Sequence, residues 1–471
     1  MVMSTLHASA PWDLGIIGSG SAAFAAALEA RARGASVVLI ERDALGGTCV
    51  NVGCVPSKAL LVAAHRRSLA ASAYPGLGAE TLPIDHDELA AGVRGVVSSL
   101  VKRKYRDLAE RMGIDVRYGT ARFVSDETVS VGGDELTARR WIIATGAHAV
   151  LPSVDGLDPA ELWTSTDALT ALEIPARVAI IGAGSIGLEL ATAYSGLGAR
   201  VHLIESTPQA VASAPLELTG ALVEHLRASG VAVALTTTVG SAQATTSGWL
   251  LQLQGPEGAT QVEVDRVIAA VGRRPTTENL GLETVGVELG ARGEVVVDAT
   301  MRTSNRGIWA AGDVTGGPQY VYVAAAQGAL AARNALSDGD EHFDDRAIPA
   351  VVFTDPPLAQ VGLTLDEAQH QGYDAESTTF SFADLPRAIV EHATEGLAVM
   401  VAERTSGRLL GVHLWGVNAA EVIQSAVLAL RTNLTISDLA TTWAPYLTAS
   451  EALRLAAQSF TTDVANLSCC A

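Results

Sequence analysis

Four cysteines, arranged as two close pairs, are the residues of this 471-residue chain whose chemistry is easiest to anticipate. Cys49 and Cys54 lie in the segment GGTCVNVGCVPSK (46–58), and Cys469 and Cys470 stand side by side in the final NLSCCA. A disulfide between Cys49 and Cys54 would close so short a loop that it would restrain the unfolded chain by only about 2 kcal/mol. The sequence therefore favours a reversible two-electron switch at this pair over a structural crosslink.

The pair at the end of the chain has a different geometry, because its two residues are adjacent. Adjacent Cα atoms lie about 3.8 Å apart across a trans peptide, whereas disulfides prefer roughly 4.4–6.8 Å. Two neighbouring thiolates are better suited to bind a soft metal ion. Cys469 and Cys470 are therefore predicted to be metal ligands.

Two segments of the chain have the same pattern of strand, glycine-rich turn, helix and strand, and these elements are expected to position the reactive groups. The first carries its three small residues and its acid at Gly18, Gly20, Ala23 and Glu41. The second carries them at Gly182, Gly184, Gly187 and Glu205. In both copies 23 positions separate the first glycine from the acid. Such a turn lets the backbone approach a pyrophosphate at a helix N-terminus, and the acid can accept hydrogen bonds from a ribose. Two dinucleotide sites predict an electron-transfer enzyme.

Composition limits the remaining classes of protein. The chain has 48% hydrophobic and 18% charged residues, which predicts a globular protein, and its length predicts two to four domains. The formal net charge of −19 argues against binding to nucleic acid or to an anionic membrane, since both need a positive surface. We recognise no signal peptide and no apolar run long enough to span a membrane, so a cytoplasmic protein with reduced thiols is expected.

Three further segments have the character of buried strands followed by small-residue turns: WIIATGA (141–147), RVIAAVGRRPTT (266–277) and GIWAAGDV (307–314). In this order around the two glycine turns they resemble the flavoprotein disulfide reductases, the group that contains glutathione reductase and dihydrolipoamide dehydrogenase. The segment 46–58 is similar to the redox-active disulfide motif of that group. The resemblance implies an α/β fold with two Rossmann-like dinucleotide-binding domains and an α+β C-terminal dimerisation domain.

The resemblance also implies domain boundaries and cofactors. An FAD-binding domain is expected at 1–155 and, after an NAD(P)H-binding domain at 156–270, again at 271–345. A dimerisation domain is expected at 346–471, so the protein should be a homodimer. FAD would occupy the first dinucleotide site and NADH or NADPH the second.

Individual site residues follow from the same resemblance. Cys54 would lie against the flavin and Cys49 would exchange with substrate. Lys58 and Glu189 match an ion pair beside the flavin, and Asp313 would bind the ribityl or pyrophosphate region of FAD. Besides the glycine turns, the remaining expected cofactor contacts are Gly46, Thr48, Gly146 and Gly272.

The segment WAPYLTASEALRLAAQSF (443–460) distinguishes between members of the group. Glutathione and lipoamide enzymes carry a histidine five positions before a glutamate, but here Tyr446 stands five positions before Glu451. A tyrosine ordinarily loses its proton only near pH 10 and is a poor proton shuttle at neutral pH. Exchange with an organic disulfide is therefore disfavoured.

The same C-terminal segment, together with the final cysteines, resembles the mercury-reducing members of the group. This implies reduction of Hg(II), carried on small thiols, to volatile Hg(0), with all four cysteines as metal ligands. Cys469 and Cys470 of one subunit would deliver the metal to Cys49 and Cys54, which we call the inner pair, in the partner subunit. Tyr446 and Tyr105 are expected to line the mercury site.

Two departures from the usual pattern lead to further predictions. Only about a dozen residues precede the first strand, so the separate metal-binding domain that many mercury-reducing members carry is not expected. Members usually prefer NADPH, but Glu205 is followed by STPQAVAS without a basic residue, which favours NADH. Two alternatives stay open: a disulfide reductase of the dihydrolipoamide type, and a non-catalytic metal-sequestering protein.

Overall fold

The structure, a computed structural model, describes residues 11–72, 74, 76–78 and 80–463. The chain divides into two compact units. The first unit comprises Met1–Pro56, Ala91–Val150 and Arg273–Asp344, and the second comprises Ser57–Ala90, Leu151–Gly272 and Asp345–Ala471. The chain passes from one unit to the other after residues 56, 90, 150, 272 and 344. The expected domain boundaries after 155, 270 and 345 stay predictions.

The first unit contains a five-stranded parallel sheet with the glycine turn at its centre. In spatial order the strands are Ile308–Ala310, Trp141–Ile143, Leu14–Ile17, Val37–Glu41 and Asp115–Tyr118. The central strands are apolar and buried along their whole length, as expected for parallel strands that are covered on both faces. Two helices, Ser21–Ala32 and Val321–Ser337, pack against each other beside this sheet.

Smaller elements complete the first unit. An antiparallel sheet consists of Ala121–Ser125, Thr128–Val131 and Asp134–Thr137, and Ala147–Ala149 pairs with Arg273–Pro275. Its shorter helices are Gly47–Val52, the π-helix Lys102–Arg106, Asp107–Met112, and the 3-10 helices Leu282–Val285 and Asp313–Thr315. The helices Cys54–Ala71 and His86–Val101 each run from one unit into the other along the chain.

The second unit repeats the nucleotide-binding arrangement. Its parallel sheet has the order Ala232–Ala234, Arg200–Ile204, Arg177–Ile181, Arg266–Ala269 and Trp163–Thr164. The accompanying helices are Pro159–Glu161 (3-10), Ser165–Ala171, Ser185–Gly196 and Leu216–Ala228. An antiparallel sheet of Thr238–Ala244, Trp249–Gly255 and Gly258–Val264 follows.

The C-terminal part of the second unit is an α+β arrangement. Its antiparallel sheet has the order Ala350–Val352, Leu358–Gly362, Leu409–Gly416, Gly396–Glu403 and Ala375–Ser381. The helices are Leu365–His370, Phe382–Asp384 (3-10), Pro386–Glu391, Ala419–Arg431, Ile436–Thr441 and Glu451–Gln458. The predicted fold class, two Rossmann-like sheets followed by an α+β segment, is confirmed.

One helical stretch of the described residues, 47–71, is long and apolar enough to cross a membrane by length and composition alone. We expected no such run from the sequence. The stretch consists of two helices, Gly47–Val52 and Cys54–Ala71, separated only by Gly53. A single stretch of this kind is weak evidence, since the core helix of a soluble protein meets the same criteria.

Candidate functional site

The first glycine turn is packed on one side and open on the other. A Cβ atom added to Gly18 would lie 2.3 Å from the carbonyl oxygen of Ala144, whereas one added to Gly20 would meet nothing within 4 Å. Gly20 is the N-cap of the helix Ser21–Ala32, which has no side-chain cap, and Ala23 is fully buried behind it. Uncapped amides that face open space at a helix N-terminus suit the pyrophosphate of a dinucleotide.

Glu41 ends the second strand and is buried against the same turn. Its Oε1 accepts a hydrogen bond from the backbone N–H of Asp43 at 2.7 Å, and its Oε2 accepts one from the hydroxyl of Ser19. The Ser19 hydroxyl also accepts a hydrogen bond from Gly46 N–H at 2.9 Å. Ser19 therefore links the nucleotide turn to the cysteine segment, a role that the sequence analysis missed although the residue lies between the two glycines.

The cysteine segment consists of two helices that meet at a sharp bend. Cys49 lies in the helix Gly47–Val52, and Cys54 is the first residue of the helix Cys54–Ala71. Both cysteines are partly buried. A Cβ atom on Gly53 would lie 2.9 Å from the carbonyl oxygen of Thr48, so only glycine allows this close approach. Because a helix N-terminus stabilises negative charge, the position of Cys54 favours a thiolate.

Tyr105 lies beside this segment, within the π-helix Lys102–Arg106. A Cβ atom on Gly46 would come within 3.3 Å of the Tyr105 ring, and the ring packs edge-on against Phe24 with centroids 4.7 Å apart. Burial raises the pKa of the Tyr105 hydroxyl, and negative charge on Cys49 and Cys54 raises it further. The phenol therefore stays protonated and can act as a hydrogen-bond donor near the two sulfur atoms.

Asp313 and Arg273 form a second charged feature of the first unit. Burial raises the pKa of Asp313, and the Arg273 guanidinium acts in the opposite direction. Burial lowers the pKa of Arg273, while negative charge on Asp313 and Cys54 opposes that change. The guanidinium donates to the carbonyl oxygen of Ala147. Arg273 is thus a partly buried cation within electrostatic range of a cysteine, and the sequence analysis did not single it out.

The second glycine turn has the same open and closed sides as the first. A Cβ atom on Gly184 would meet nothing within 4 Å, whereas one on Gly187 would lie 1.9 Å from the carbonyl oxygen of Gly182. Gly184 is the N-cap of the helix Ser185–Gly196, which again lacks a side-chain cap. This turn can therefore accommodate a second pyrophosphate.

Glu205 follows the strand Arg200–Ile204, and backbone amides hold its carboxylate in place. Its Oε2 accepts from Ala183 N–H at 2.8 Å and its Oε1 from Thr207 N–H at 2.8 Å. Burial would raise the pKa of Glu205, but these backbone hydrogen bonds and those from the Thr207 and Ser206 hydroxyls together hold the pKa below its usual value. The carboxylate is consequently ionised at neutral pH.

Lys58 and Glu189, predicted as an ion pair, are brought together in the second unit with Nζ and Oε2 2.6 Å apart. The backbone N–H of Phe353 donates to Oε1 of Glu189 at 3.1 Å, and Lys58 Nζ lies 4.7 Å from the centroid of the Phe353 ring. A cation over an aromatic face is electrostatically favourable. Phe353 therefore contacts both partners of the pair, through its backbone amide and its ring. Its position in the segment FTDPPLAQVGLT did not predict these contacts.

Tyr446 is half exposed, in the loop between the helices Ile436–Thr441 and Glu451–Gln458. Buried Glu451 accepts a hydrogen bond from Leu447 N–H at 2.8 Å, and Leu447 adopts a left-handed conformation with φ 60°. The carboxylate thereby fixes the backbone next to Tyr446.

Replacing Glu451 by alanine is expected to loosen this loop. The Leu447 amide would lose its acceptor, which should lower the free energy of unfolding by about 1–3 kcal/mol. Glu451→Gln keeps an acceptor oxygen and is the matched control. Urea unfolding measures the change in the free energy of unfolding, and limited proteolysis between residues 442 and 450 measures the loosening of the loop. Equal stability of the alanine variant and the wild type would contradict the assigned role.

The remaining predicted residues are three expected cofactor contacts and the cysteine pair at the end of the chain. Thr48 is exposed, and Cβ atoms on Gly146 or Gly272 would meet nothing within 4 Å, which leaves space for a ligand at both positions. Cys469 and Cys470 lie outside the described residues. Among the residues that are described, no three His, Cys, Asp or Glu side chains converge to hold a metal ion. The predicted roles of all these residues stay predictions.

Comparison with known proteins gives consistent matches over nearly the whole length. Residues 12–328 match the family described as "Pyridine nucleotide-disulphide oxidoreductase", and residues 348–457 match the dimerisation domain of that name. A mercuric reductase from Streptomyces lividans is 45% identical, with 99% of this chain and 100% of that protein covered. One from Staphylococcus aureus is 41% identical, with 98% and 84% covered. Among solved structures, the HOCl-induced flavoprotein disulfide reductase RclA from Escherichia coli has a TM-score of 0.85 at 29% identity, with 96% and 100% covered.

Proposed function

Because the chain belongs to the pyridine nucleotide-disulphide oxidoreductase family, we propose that it reduces Hg(II) to Hg(0) with electrons from a nicotinamide nucleotide. Membership of this family implies FAD and a pyridine nucleotide as cofactors, and the dimerisation domain supports a homodimer. The observation that carries the proposal is the Cys49/Cys54 pair beside Tyr105, in a chain that is 45% identical to a mercuric reductase.

The residues of the first unit fit FAD. The open side of the turn at Gly20 leaves room for a pyrophosphate, and Glu41 ends the adjacent strand. Asp313 and Arg273, both partly buried, supply polar groups of opposite charge. Bound FAD would transfer two electrons from the nicotinamide to the cysteine pair.

The cysteine pair then acts as a soft ligand for the substrate. Thiolates bind soft metal ions, and the helix N-terminus at Cys54 favours the thiolate form. As each sulfur binds Hg(II) as a thiolate, one Hg–S bond to the cysteine forms and one to the carrier breaks. The carrier leaves as a thiolate, which takes up from the medium the proton that the cysteine had given up. The net redox step consumes one NAD(P)H and Hg(II) and yields NAD(P)⁺, a proton and Hg(0).

Tyr105 would assist at the sulfur atoms as a proton-bearing group. Its raised pKa keeps the hydroxyl protonated, so it can donate a hydrogen bond to a thiolate and stabilise that charge during ligand exchange. We expect it to act in this way rather than as a base. The placement of Lys58 and Glu189 beside the flavin, and of Tyr446 at the metal, rests on the resemblance and stays a prediction.

We propose that Cys469 and Cys470, at the C-terminal tail, deliver the metal. The two adjacent thiols suit capture of Hg(II) from small thiols, and the dimerisation domain would bring one subunit's tail to the inner pair of the other. The cytoplasm, whose thiols are kept reduced, is the proposed location.

The wild-type protein is expected to prefer NADH over NADPH. Glu205 is ionised, and like charge near a 2′-phosphate can cost several kcal/mol. Glu205→Gln should raise kcat/KM for NADPH roughly tenfold, because that repulsion is removed. Glu217→Gln removes an exposed carboxylate from the start of a neighbouring helix and is the control. Steady-state kinetics with both nucleotides provide the test, and a wild-type kcat/KM for NADPH equal to that for NADH would contradict the preference.

A direct comparison of substrates separates the proposed function from the dihydrolipoamide alternative. Purified protein should oxidise NADH or NADPH when Hg(II) is supplied as a thiol complex, and it should show little activity with lipoamide. The reverse pattern would favour the alternative, and no nucleotide oxidation with either substrate would favour a metal-sequestering protein.

A further inference from the structure

Lysine is rare in this chain, and the positions of its lysines are unusual. The sequence contains 29 arginines but only three lysines: Lys58, Lys102 and Lys104. Two of the three flank Tyr105, together with Arg103 and Arg106. We call the π-helix Lys102–Arg106 the basic helix; its four cationic side chains are exposed.

The basic helix is held close to the cysteine segment. Tyr105 belongs to the same helical turn, and its ring contacts Phe24 and lies against Gly46. The same tyrosine is within electrostatic range of Cys49 and Cys54. Four positive charges are therefore anchored within one helical turn of a residue that contacts the site.

The local charge opposes that of the whole protein. The formal net charge of the chain is −19, yet residues 94–111 contain six basic and two acidic side chains. In the part of the chain that the structure describes, none of the four cations of the basic helix forms an ion pair with an acidic side chain. Their charge is available to a ligand from solution.

We propose that the basic helix attracts Hg(II) in the form of an anionic complex with two carboxylate-bearing thiols. The inference rests on the proposed function and names the form in which the substrate arrives. A bis-thiolate complex of Hg(II) with two carboxylates carries negative charge, and most of the acidic protein surface repels it. A local positive field next to the cysteines concentrates it there and raises the association rate. Subsequent ligand exchange forms Hg–S bonds to cysteine sulfur, breaks the two Hg–S bonds to the carriers and transfers no electrons. The carriers leave as thiolates and take up from the medium the protons that the cysteines had given up.

The test compares carriers of opposite charge on one variant. Lys102→Gln/Arg103→Gln/Lys104→Gln removes three cations and leaves Tyr105 in place. Hg(II) is supplied with 3-mercaptopropionate, which is anionic, or with cysteamine, which is cationic. Rapid mixing with the reduced holoenzyme, followed by alkylation and mass spectrometry, measures how quickly Cys49 and Cys54 become protected by Hg(II). The measured quantity is the ratio of the loading rate with the anionic carrier to that with the cationic carrier. When this ratio is compared between wild type and variant, any intrinsic difference in lability between the two carriers cancels.

At low ionic strength the triple variant should lose roughly tenfold in loading rate with the anionic carrier relative to the cationic one. High salt should abolish the difference between wild type and variant, because exposed charges are screened. The charge-matched control Arg122→Gln/Arg139→Gln/Arg306→Gln removes three exposed arginines from elsewhere in the same unit and should keep the wild-type ratio.

Two results would overturn the inference: an unchanged ratio in the triple variant, or an equal change in the charge-matched control. Thermal unfolding and FAD content check that both variants are folded. Failure of the proposed function is seen separately, as wild-type protein that loads Hg(II) but shows no Hg(II)-dependent nucleotide oxidation with either carrier.

Discussion

The Cys54→Ala protein is expected to lose Hg(II) reduction by at least roughly a thousandfold, since residues that act as a catalytic unit cannot substitute for one another. Cys54 begins a helix whose N-terminus favours a thiolate, and it lies with Cys49 beside Tyr105. Removing one sulfur leaves the metal with a single inner ligand and removes the two-electron switch. Cys49→Ala should have an equally large effect.

The same variants should still bind FAD and still accept electrons from the nicotinamide nucleotide, because both glycine turns are intact. Val55→Ala, next to Cys54 on the same helix, is a control that truncates a side chain without removing a thiol. Anaerobic flavin bleaching by NADH measures the retained step, and Hg(II)-dependent NADH oxidation measures the lost one. Retention of mercury turnover in Cys54→Ala would place the chemistry elsewhere.

Loss of Cys469 and Cys470, the tail thiols, should lower the rate of Hg(II) reduction almost as severely when small thiols compete for the metal. The Cys469→Ala/Cys470→Ala protein is expected to work poorly with Hg(II) in excess thiol, because the inner pair must then acquire the metal without the adjacent dithiol. With little competing thiol, free Hg(II) can reach the inner pair by diffusion, and the defect should shrink. Hg(II)-dependent NADH oxidation over a range of thiol concentrations measures both regimes.

A hybrid dimer tests whether the tail serves the partner subunit. One chain carries Cys49→Ala and Cys54→Ala with its tail intact, and the other carries Cys469→Ala and Cys470→Ala with its inner pair intact. In excess thiol each homodimer should be nearly inactive, whereas the hybrid should recover one working site of two. A hybrid no better than its parents would favour transfer within a single chain.

The glycine turns could be predicted from the sequence because their pattern is local. A strand, a tight turn, a helix and an acid after the second strand specify one another within about thirty residues, and the structure places Glu41 and Glu205 at their turns. A redox role for Cys49 and Cys54 could also be predicted from residue type and spacing alone, and it stays a prediction. The Lys58–Glu189 pair required the resemblance, because 131 positions separate its members.

Other features could not be predicted because they depend on contacts between distant segments. Phe353 reaches Glu189 across 164 positions, and the Arg273 guanidinium reaches Ala147 across 126. Neither Phe353 nor Arg273 belongs to a sequence motif from which its contact could be predicted. The basic helix was visible in the sequence as the segment KRKYR, but its significance depends on how Tyr105 packs against Gly46.

Trapping mercury vapour while following nucleotide oxidation tests the central claim most directly. Purified protein is supplied with NADH and thiol-complexed Hg(II) under anaerobic conditions, and the Hg(0) swept into the trap is compared with the NADH consumed. We predict one Hg(0) for each NADH, and no vapour from the Cys54→Ala protein. Nucleotide oxidation without mercury vapour, or vapour at the same rate without nucleotide, would contradict the account.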